Sequence, residues 1–396
     1  MINIVHVART PSAGSPIRLV KALKKFSDFN VSLIDLRKFD IYPQDIVFEE
    51  EVQHSIELFN KADIIHFHHY IDLDTNEFHP INFRKLKDNG TVFLRQYRTN
   101  PNFAARSAKV DIKKIYDNSI PTIVVGQYME RFYPEARVVP NIIPENDPLY
   151  VPNDGKSRGI FFAPTFKHSA WSERWETKAA PEVKNILNRI KSESGTEIIS
   201  FNQKPLNETL KLKQSSKIVI DDLITGSYHI SSLEGLSMGK PVLTYLDDRT
   251  RFVLNELSDS NNCPILNVKL EEVYDILHSL LNNEETINQI GEESRKWIKK
   301  YWSEEKLVNH YINVYKDLLE NPNGLKRQES LKISNDKDYF FSIVQPDLIY
   351  ENRNKLYLNK LSFLSLISIK TKKYYSCVKF ELKMILIRLK VINKFH

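Results

Sequence analysis

The sequence has few cysteines and lacks any long apolar run. Its 396 residues include two cysteines, Cys263 and Cys377, which lie far apart and are predicted to be free thiols in a reducing compartment. The longest nearly apolar run, 361–369, has nine residues, well short of the roughly 20 that cross a bilayer. The start, MINIVHVA, enters a strand-like run without a basic segment before it, so no secretory signal is expected. We therefore expect a cytoplasmic protein without a transmembrane helix.

Common metal and phosphate motifs are also missing. No CxxC or HExxH spacing occurs, and the loop after the first strand-like run is neither a GxGxxG nor a Walker motif. The composition, 41% apolar and 27% charged, argues against a disordered or collagen-like chain. The length exceeds what one hydrophobic core usually supports, which predicts two domains.

Positive charge is concentrated at the C-terminus. Eight Lys or Arg and one Glu fall in 370–396, which leaves the rest of a chain of net charge +6 close to neutral. This distribution excludes a globally basic nucleic-acid binder and favours a local contact. Placed on a helix, Lys379, Lys383, Lys390 and Lys394 form one stripe beside apolar residues. The pattern predicts a helix on an anionic membrane surface, or alternatively a helix packed on the protein.

Strand-like and helix-like stretches alternate along the chain, which predicts an α/β protein with doubly wound parallel sheets. Residues 148–156 are rich in Pro, Asn, Asp and Gly, so we place a domain boundary there, between 1–150 and 151–320. Residues 321–396 are predicted to be a polar linker followed by the basic tail. The predicted strands are INIVHVA, VSLIDL, DIIHFHHY, TVFLRQY, TIVV and ARVVPNII in the first domain, and GIFFAPTF, TEIISFNQ, KIVIDDL, PVLTYLD and CPILNV in the second.

The stretch 217–247 reads as a strand, a short helix and a parallel strand. Ser231 and Ser232 are candidate caps for the helix start, and Gly239 is expected to end it. The N-terminus of such a helix suits a phosphate. Glu234, one turn into the helix, can accept the two vicinal hydroxyls of a ribose, or can simply complement the helix dipole.

This stretch carries a resemblance to a known family. SYHISSLEGLSMGKPVLTYL resembles the donor-binding segment of family-4 glycosyltransferases, which have the GT-B fold. The positions that match its pattern are Tyr228, Ile230, Glu234, Gly239, Lys240, Pro241 and Val242. Two positions depart from it: Gly226 stands where the family has its first Glu, and His229 stands where it has a Gly.

The resemblance covers about 3–320 and implies two Rossmann-like domains that face each other across a cleft. It implies a retaining, metal-independent transfer of a sugar from a nucleotide-sugar, expected to be UDP- or GDP-linked, to a glycan or lipid-linked acceptor in surface-polysaccharide synthesis. The nucleotide-sugar is a substrate, and no cofactor is expected. In the family the second Glu holds the ribose and the first contacts the sugar, so nucleotide binding carries over to Glu234, whereas Gly226 cannot make the sugar contact.

Further donor-side residues follow from the resemblance. The family places an Arg and a Lys on the donor diphosphate in the first strand–loop–helix unit of the second domain. Lys178 is the best match and Arg174 the second, with Lys167 as a competitor. Together with the helix N-terminus near Ser231 and Ser232, they are expected to neutralise the leaving group, although each basic residue can equally be a solvated surface charge.

Three residues are candidates for the reacting centre. Gly14 lies in a small-residue loop that resembles the family loop facing donor and acceptor, with Arg9 as a weaker candidate; the alternative is a plain turn. His229 is placed to donate a hydrogen bond to the leaving group. Asp222, like its neighbour Asp221, can supply the hydroxyl contacts that Gly226 lacks, or can cap the turn.

On the acceptor side we expect His68, Arg95 and Arg98, at the ends of two neighbouring strands. His66 and His68 share one face of a strand, but two histidines without a third are insufficient for a metal site, and none is predicted. Arg95 and Arg98 can contact the acceptor or an anion, or can be structural.

Two rival functions remain open. A non-catalytic nucleotide- or glycan-binding protein would explain Gly226. A sugar-nucleotide epimerase of the same fold would need acid and base carboxylates in the cleft and no acceptor site.

Overall fold

The β-branched runs of the first third of the chain form a parallel sheet in the structure, a computed structural model. It describes residues 1–117, 119–153, 155, 157–164, 170, 178–201, 204–322, 324–345 and 348. The strands of the first sheet are β1 (Asn3–Ala8), β2 (Asn30–Asp35), β3 (Ile46–Val47), β4 (Ile64–His68), β5 (Val92–Tyr97), β6 (Thr122–Val125) and β7 (Arg137–Val139). Their order is β3-β2-β1-β4-β5-β6-β7. The six predicted strands are present, and β3 was missed because two residues show no alternation.

Helices cover both faces of this sheet. They are α1 (Ser15–Phe26), α2 (Val52–Lys61), α3 (Phe83–Asp88), α4 (Pro101–Ala108) and α5 (Ile112–Ile115), with 3₁₀ turns at Ser12–Gly14 and Tyr128–Phe132. Pro16 lies in the first turn of α1, where its fixed φ suits the helix. Gly14 precedes the helix with φ +70°, a left-handed conformation in which glycine is not strained.

The second sheet is also parallel and contains the five strands predicted for it. They are β8 (Ile160–Phe161), β9 (Ile198–Ile199), β10 (Ile218–Ile220), β11 (Val242–Thr244) and β12 (Leu266–Asn267), in the order β12-β11-β10-β8-β9. The helices of this half are α6 (Ala180–Ser194), α7 (Leu206–Gln214), α8 (Ile230–Ser237), α9 (Asp248–Ser258), α10 (Val273–Leu281), α11 (Glu284–Tyr301) and α12 (Glu304–Glu320).

Helix α8 connects β10 to β11 as the predicted crossover. It packs so closely on the sheet that a Cβ at Gly235 would lie 2.8 Å from a methyl carbon of Val242, so a larger residue would push the helix away. Met238 caps its C-terminus and Gly239 follows with φ +65°, which confirms the predicted helix end.

Helix α12 returns to the first half of the chain and packs against α1. Lys25 of α1 pairs with Glu304 at 3.1 Å, and the Tyr311 hydroxyl donates to the Pro140 carbonyl at 2.8 Å. One buried apolar core includes residues of both sheets and of α12, while two other clusters cover the outer faces of the two sheets. The shared core therefore holds the two halves together.

After α12 the chain lies along the exposed edge of the first sheet. The side-chain amide of Gln328 accepts from the Val138 N–H at 3.0 Å and donates to its carbonyl at 2.7 Å, so it satisfies the edge strand β7. Arg327 is buried and contacts Glu130, which also binds Arg249. The linker predicted beyond residue 321 is thus packed at this point.

The last described elements are α13 (Asp336–Tyr339) and a π-helical turn, Phe340–Val344. No helix among the described residues has both the length and the apolar character to cross a membrane. The predicted basic tail, 370–396, lies outside the described residues.

Candidate functional site

The carboxyl edges of the two sheets meet. The loop after β6 contacts the turn after β10: the Tyr128 N–H donates to Ser227 Oγ at 3.0 Å, and the Gln127 side chain donates to the Tyr228 carbonyl at 2.9 Å. Tyr228 is buried and its hydroxyl donates to the Gly126 carbonyl at 2.6 Å. Ligands of open α/β sheets bind at this edge. Tyr228 itself joins the two halves, and its neighbour Ile230 begins α8.

Asp221, at the end of β10, makes several contacts at the carboxyl edge of the second sheet, called the second edge below. It pairs with Lys178, and its Oδ2 accepts from the His229 N–H at 2.9 Å and from the Ser232 hydroxyl at 2.5 Å. Burial alone would raise the pKa of Asp221, but Lys178, His229 and these hydrogen bonds hold it well below its usual range. A buried carboxylate therefore occupies the start of α8.

The predicted serine caps of α8 are wrong. The N-cap residue is His229, whose side chain makes no capping bond, and the helix begins at Ile230. Ser231 and Ser232 lie within the first turn, and the Ser232 hydroxyl is turned to Asp221. The carboxylate from the preceding strand instead accepts from the N–H of His229, the N-cap residue itself, and from the Ser232 hydroxyl.

Asp222 and His229 are neighbours at this turn. Asp222 is buried, and its Oδ1 accepts from the N–H groups of Ile224 and Thr225, both at 2.9 Å. This carboxylate therefore shapes the turn, one of the two roles predicted for it. The His229 ring is 38% exposed, with Nδ1 3.5 Å from Asp221 Oδ1 and Nε2 3.8 Å from Asp222 Oδ2. His229 is thus a partly accessible imidazole beside two carboxylates.

Glu234 lies where the two halves touch. Its side chain is 4% exposed and forms ion pairs with Lys213 of α7 and, at 3.4 Å, with Arg18 of α1. Arg18 also donates to the Ala13 carbonyl at 2.6 Å. Both carboxylate oxygens already have cationic partners, and the Arg18 contact is the longer one.

Gly226, the residue that replaces the first Glu of the family pattern, has φ +85°. A Cβ at this position would lie 3.1 Å from the Asp247 Cβ. L-residues with side chains rarely adopt this backbone conformation. The turn therefore requires glycine, and a Glu could not simply be restored here.

The Gly14 loop reaches the second half of the chain. A Cβ at Gly14 would lie 3.1 Å from the Tyr42 ring, 3.5 Å from an Arg18 nitrogen and 3.6 Å from Leu206 of α7. The loop thus borders the Glu234 ion pairs. Arg9 instead points to Glu77, at 2.5 Å, and to the Tyr70 carbonyl.

Of the predicted diphosphate-binding residues, Lys178 is described and is 24% exposed in its pair with Asp221. Arg174 and its competitor Lys167 lie outside the described residues.

Three histidines cluster at the carboxyl edge of the first sheet, called the first edge below. His6 of β1 lies beside His66 of β4, and His68 follows on the same face. Their ring nitrogens lie within 4.8 Å of one another, with His6 Nδ1 3.0 Å from His68 Nε2. The Tyr315 hydroxyl of α12 lies 2.8 Å from His66 Nδ1 and 3.2 Å from His6 Nε2. All three side chains are buried.

The histidines are neutral in this environment. Burial, reinforced by the charge of Arg98, lowers the pKa of His6 to about 3 and holds the pKa values of His66 and His68 well below the usual value. His69, the residue after β4, has a pKa lowered to about 3 for the same two reasons.

His6 supplies the third histidine that the sequence argument against a metal site had missed. The hydrogen bonds nevertheless do not suit a metal. Arg98 donates to His68 Nδ1 at 3.2 Å, so a neutral His68 carries its proton on Nε2, the nitrogen that faces the other rings. Metal-bound histidines usually donate their outer N–H to a carboxylate or carbonyl, whereas here a cation occupies that place. That no metal is needed stays a prediction.

The two predicted arginines of the first edge differ. Arg98 is half-buried and also donates to Gln96 at 2.9 Å. Arg95 is buried on the other face, where it donates to the Ile71 carbonyl at 3.1 Å and lies 4.7 Å from the centre of the Tyr70 ring. The structure therefore brings Arg98 and His68 together and turns Arg95 away from them.

Sequence reasoning missed four residues of this region. Arg18, one turn into the helix after the Gly14 loop, could have been found from that position. His6 could have been found from the alternation in β1, which puts it on the same face as Ile4 and Ala8. Lys213 and Tyr315 gave no local signal, because they reach the site from α7 and α12.

No protein-family model matches the chain. Over 95 residues it is 27% identical to O-antigen chain mannosyltransferase C of Escherichia coli, a stretch that makes up 24% of this chain. The chain spans 25% of the length of that relative.

Solved structures resemble the fold over most of the chain. Sucrose-phosphate synthase from Thermosynechococcus elongatus is similar with a TM-score of 0.51 and 10% identity, over 80% of this chain and 99% of that one. HepE of Anabaena, solved in complex with UDP-glucose, is similar with a TM-score of 0.49 and 11% identity, over 80% of this chain and 100% of that one. The two parallel α/β sheets, joined at their carboxyl edges, thus form the predicted GT-B fold.

Proposed function

We propose that the protein is a glycosyltransferase that moves a sugar from a nucleotide-sugar to a hydroxyl of a glycan or lipid-linked acceptor. One observation carries the proposal. The carboxyl edge of the second sheet carries Glu234 and the Asp221–Lys178 pair, and the edge of the first sheet, which it contacts, carries Arg98 and the buried histidines. The name of the E. coli relative, an O-antigen chain mannosyltransferase, supports surface-polysaccharide synthesis as the setting.

On the donor side, Glu234 binds the ribose. The vicinal hydroxyls replace the long contact with Arg18, while Lys213 stays paired with the carboxylate and preserves its charge. This exchange makes binding specific for a ligand with hydroxyl donors, because a buried carboxylate that loses Arg18 as a partner needs other donors to replace it. Tyr228 and Ile230 hold the turn on which the nucleotide rests.

Charge stabilisation in the proposed reaction comes from the protein itself. The bond between the anomeric carbon and the diphosphate oxygen breaks, and the acceptor oxygen bonds to the same carbon while its proton passes to the departing phosphate. Lys178 and the partly exposed His229 stabilise the growing negative charge, with no metal required. The Gly14 loop borders this centre, and closure of the two domains excludes water from it. Retention of the anomeric configuration belongs to the proposal.

A non-catalytic binding protein is the second candidate. It is favoured by Gly226, whose backbone conformation excludes the sugar-binding Glu of the family pattern, and by the saturated ion pairs of Glu234. Such a protein would bind nucleotide without turnover.

The test is release of nucleoside diphosphate from a panel of nucleotide-sugars by the full chain, with Glu234→Ala and Lys178→Ala as variants. Release that depends on both residues supports the transferase and identifies its donor. Binding without release, with any acceptor supplied, favours the non-catalytic candidate. No binding would refute the site assignment.

The proposal includes attachment to an anionic membrane surface through 370–396, where a lipid-linked acceptor would be found. Each basic residue near such a surface contributes about 1 kcal/mol. We expect the full chain to sediment with vesicles containing anionic lipid, and a chain ending at residue 369 to sediment much less. Equal sedimentation would assign the tail to packing on the protein.

A further inference from the structure

Arg98 is a half-buried cation that has no acidic partner in the described part of the chain. Among the described residues no carboxylate forms an ion pair with it, and the groups that contact its guanidinium are His68, Gln96 and the hydroxyl of Tyr311. Its Nε–H is buried and has no hydrogen-bond partner in the described part of the chain. Burying a guanidinium this way is costly unless a ligand compensates the charge.

The three histidines and Tyr315 fix this arrangement through a chain of hydrogen bonds with one direction. Because Arg98 can only donate, His68 Nδ1 must accept, and its Nε2–H donates to His6 Nδ1 at 3.0 Å. His6 then donates from Nε2 to the Tyr315 hydroxyl at 3.2 Å. That hydroxyl donates to His66 Nδ1 at 2.8 Å. The tautomer of each ring follows from the network.

The chain keeps the surroundings of Arg98 neutral. A protonated His6 or His68 would face a donor at the ring nitrogen that now accepts, and burial already opposes the charge. Gln96 extends the neutral ring of partners, since it accepts from Arg98 and donates to the Tyr311 hydroxyl at 3.0 Å. The guanidinium is therefore oriented by groups that leave its positive charge unbalanced.

Arg98 also lies at the sheet edge where the proposed reaction would bring a phosphate group. It follows β5 at the carboxyl edge of the first sheet, and its side chain stays partly exposed. The charge of Arg18, which pairs with Glu234 across the cleft, adds to the burial that lowers the pKa of Arg98 to about 10. Because Glu234 balances Arg18, the uncompensated positive charge at this edge is that of Arg98.

We propose that Arg98 is the centre of a phosphate-binding subsite on the first-domain side of the cleft, held in place by the hydrogen-bond chain of His68, His6, Tyr315 and His66. The ligand is a phosphate or diphosphate group, supplied by the acceptor or by the donor nucleotide; this choice of ligand rests on the proposed function. Arg98 binds the anion through the N–H groups of Nη1 and Nη2, and the other four are positioning residues.

The test is equilibrium binding of inorganic pyrophosphate to the full chain. Arg98→Gln is expected to weaken binding at least tenfold, and Arg98→Lys, which keeps the charge without the planar fork, about fivefold. Arg84→Gln removes an exposed arginine already paired with Asp74, and is expected to stay within twofold of the wild type. Unchanged binding by Arg98→Gln would overturn the proposal.

Two further ligands identify the source of the phosphate. If the phosphate belongs to the acceptor, Arg98→Gln weakens the binding of farnesyl diphosphate and leaves the binding of UDP and GDP unchanged. If it belongs to the donor, Arg98→Gln weakens the binding of UDP or GDP and leaves that of farnesyl diphosphate unchanged. Because binding is measured without turnover, the subsite can be confirmed even if no sugar is transferred. If the wild type transfers no sugar but binds pyrophosphate in a way that depends on Arg98, the proposed function is refuted and the subsite is not.

The role of the hydrogen-bond chain has its own readout. Tyr315→Phe removes the hydroxyl that joins His6 to His66, and we expect about threefold weaker pyrophosphate binding. ¹⁵N NMR of the histidine rings should show His6 and His68 protonated on Nε2 in the wild type, and this preference should weaken for His6 in the variant. Unchanged tautomers and affinity would show that the chain does not position Arg98.

Discussion

The two sheet edges that face each other differ in the partners of their buried charged side chains. At the second edge the carboxylates of Glu234 and Asp221 have cationic partners within the protein. At the first edge Arg98 is surrounded by neutral imidazole, amide and hydroxyl groups. Paired charges hold a geometry, whereas an unpaired buried charge points to a missing ligand. A ligand at the second edge would therefore have to replace an existing partner, such as the long Arg18 contact of Glu234, whereas a ligand of Arg98 would supply a partner that is missing.

Removing the charge pair at the second edge should have the largest effect. Asp221→Ala leaves Lys178, Ser232 and the start of α8 without their acceptor, and we expect a loss of about 3 kcal/mol in the free energy of unfolding. Urea unfolding measures it. Asp222→Asn keeps an acceptor oxygen for the turn and should cost less than about 1 kcal/mol. Equal losses would remove the distinction between the two carboxylates.

The backbone at Gly226 gives the next largest effect. Gly226→Ala forces a Cβ into a left-handed position close to Asp247, and we expect a loss of about 2 kcal/mol of unfolding free energy. Gly90→Ala is the matched control, because Gly90 has φ +101° and a Cβ added there would meet no atom within 4 Å, so it reports strain alone. A smaller loss at Gly226 than at Gly90 would contradict the close packing of this turn.

Neutral histidines at the first edge predict a smaller, pH-dependent effect. The folded-state pKa of His69 is depressed to about 3, so its stabilising contribution is present above the unfolded value near 6.5 and is lost as the pH falls towards 3. His69→Asn, which suits the positive φ of 68° at this position, should reduce the decline of unfolding free energy between pH 6.5 and 5.5 by about 1 kcal/mol. Urea unfolding at several pH values measures this decline, and His54→Asn on the exposed side of α2 serves as the control. An unchanged decline in His69→Asn would mean that the histidine is protonated in the fold.

Sequence periodicity was sufficient for every strand except the two-residue β3, and for the α8 crossover, since these depend on local patterns. It failed at the start of α8. Ser231 and Ser232 satisfy the local rule for a cap, but the helix begins earlier, at Ile230. Asp221, from the end of β10, binds the His229 N–H and the Ser232 hydroxyl there.

The site was harder to predict than the fold because its partners come from distant segments. Glu234 was found from the family pattern, whereas its partners Arg18 and Lys213 come from two other helices. Likewise, His6 and His66 are brought together by the register of β1 and β4, which a single sequence does not specify. Parallel pairing is a tertiary contact, so a cluster built on it has no local signal.

The central claim is that the second edge binds the donor nucleotide through Glu234. The most direct measurement is equilibrium binding of UDP and GDP to the wild type, to Glu234→Gln and to Lys213→Met, with folding checked by urea unfolding. The two variants disrupt the same ion pair, but only Glu234→Gln removes the carboxylate that accepts the ribose hydroxyls. We predict that binding weakens at least tenfold in Glu234→Gln and clearly less in Lys213→Met. Equal affinity of Glu234→Gln and the wild type would contradict the account.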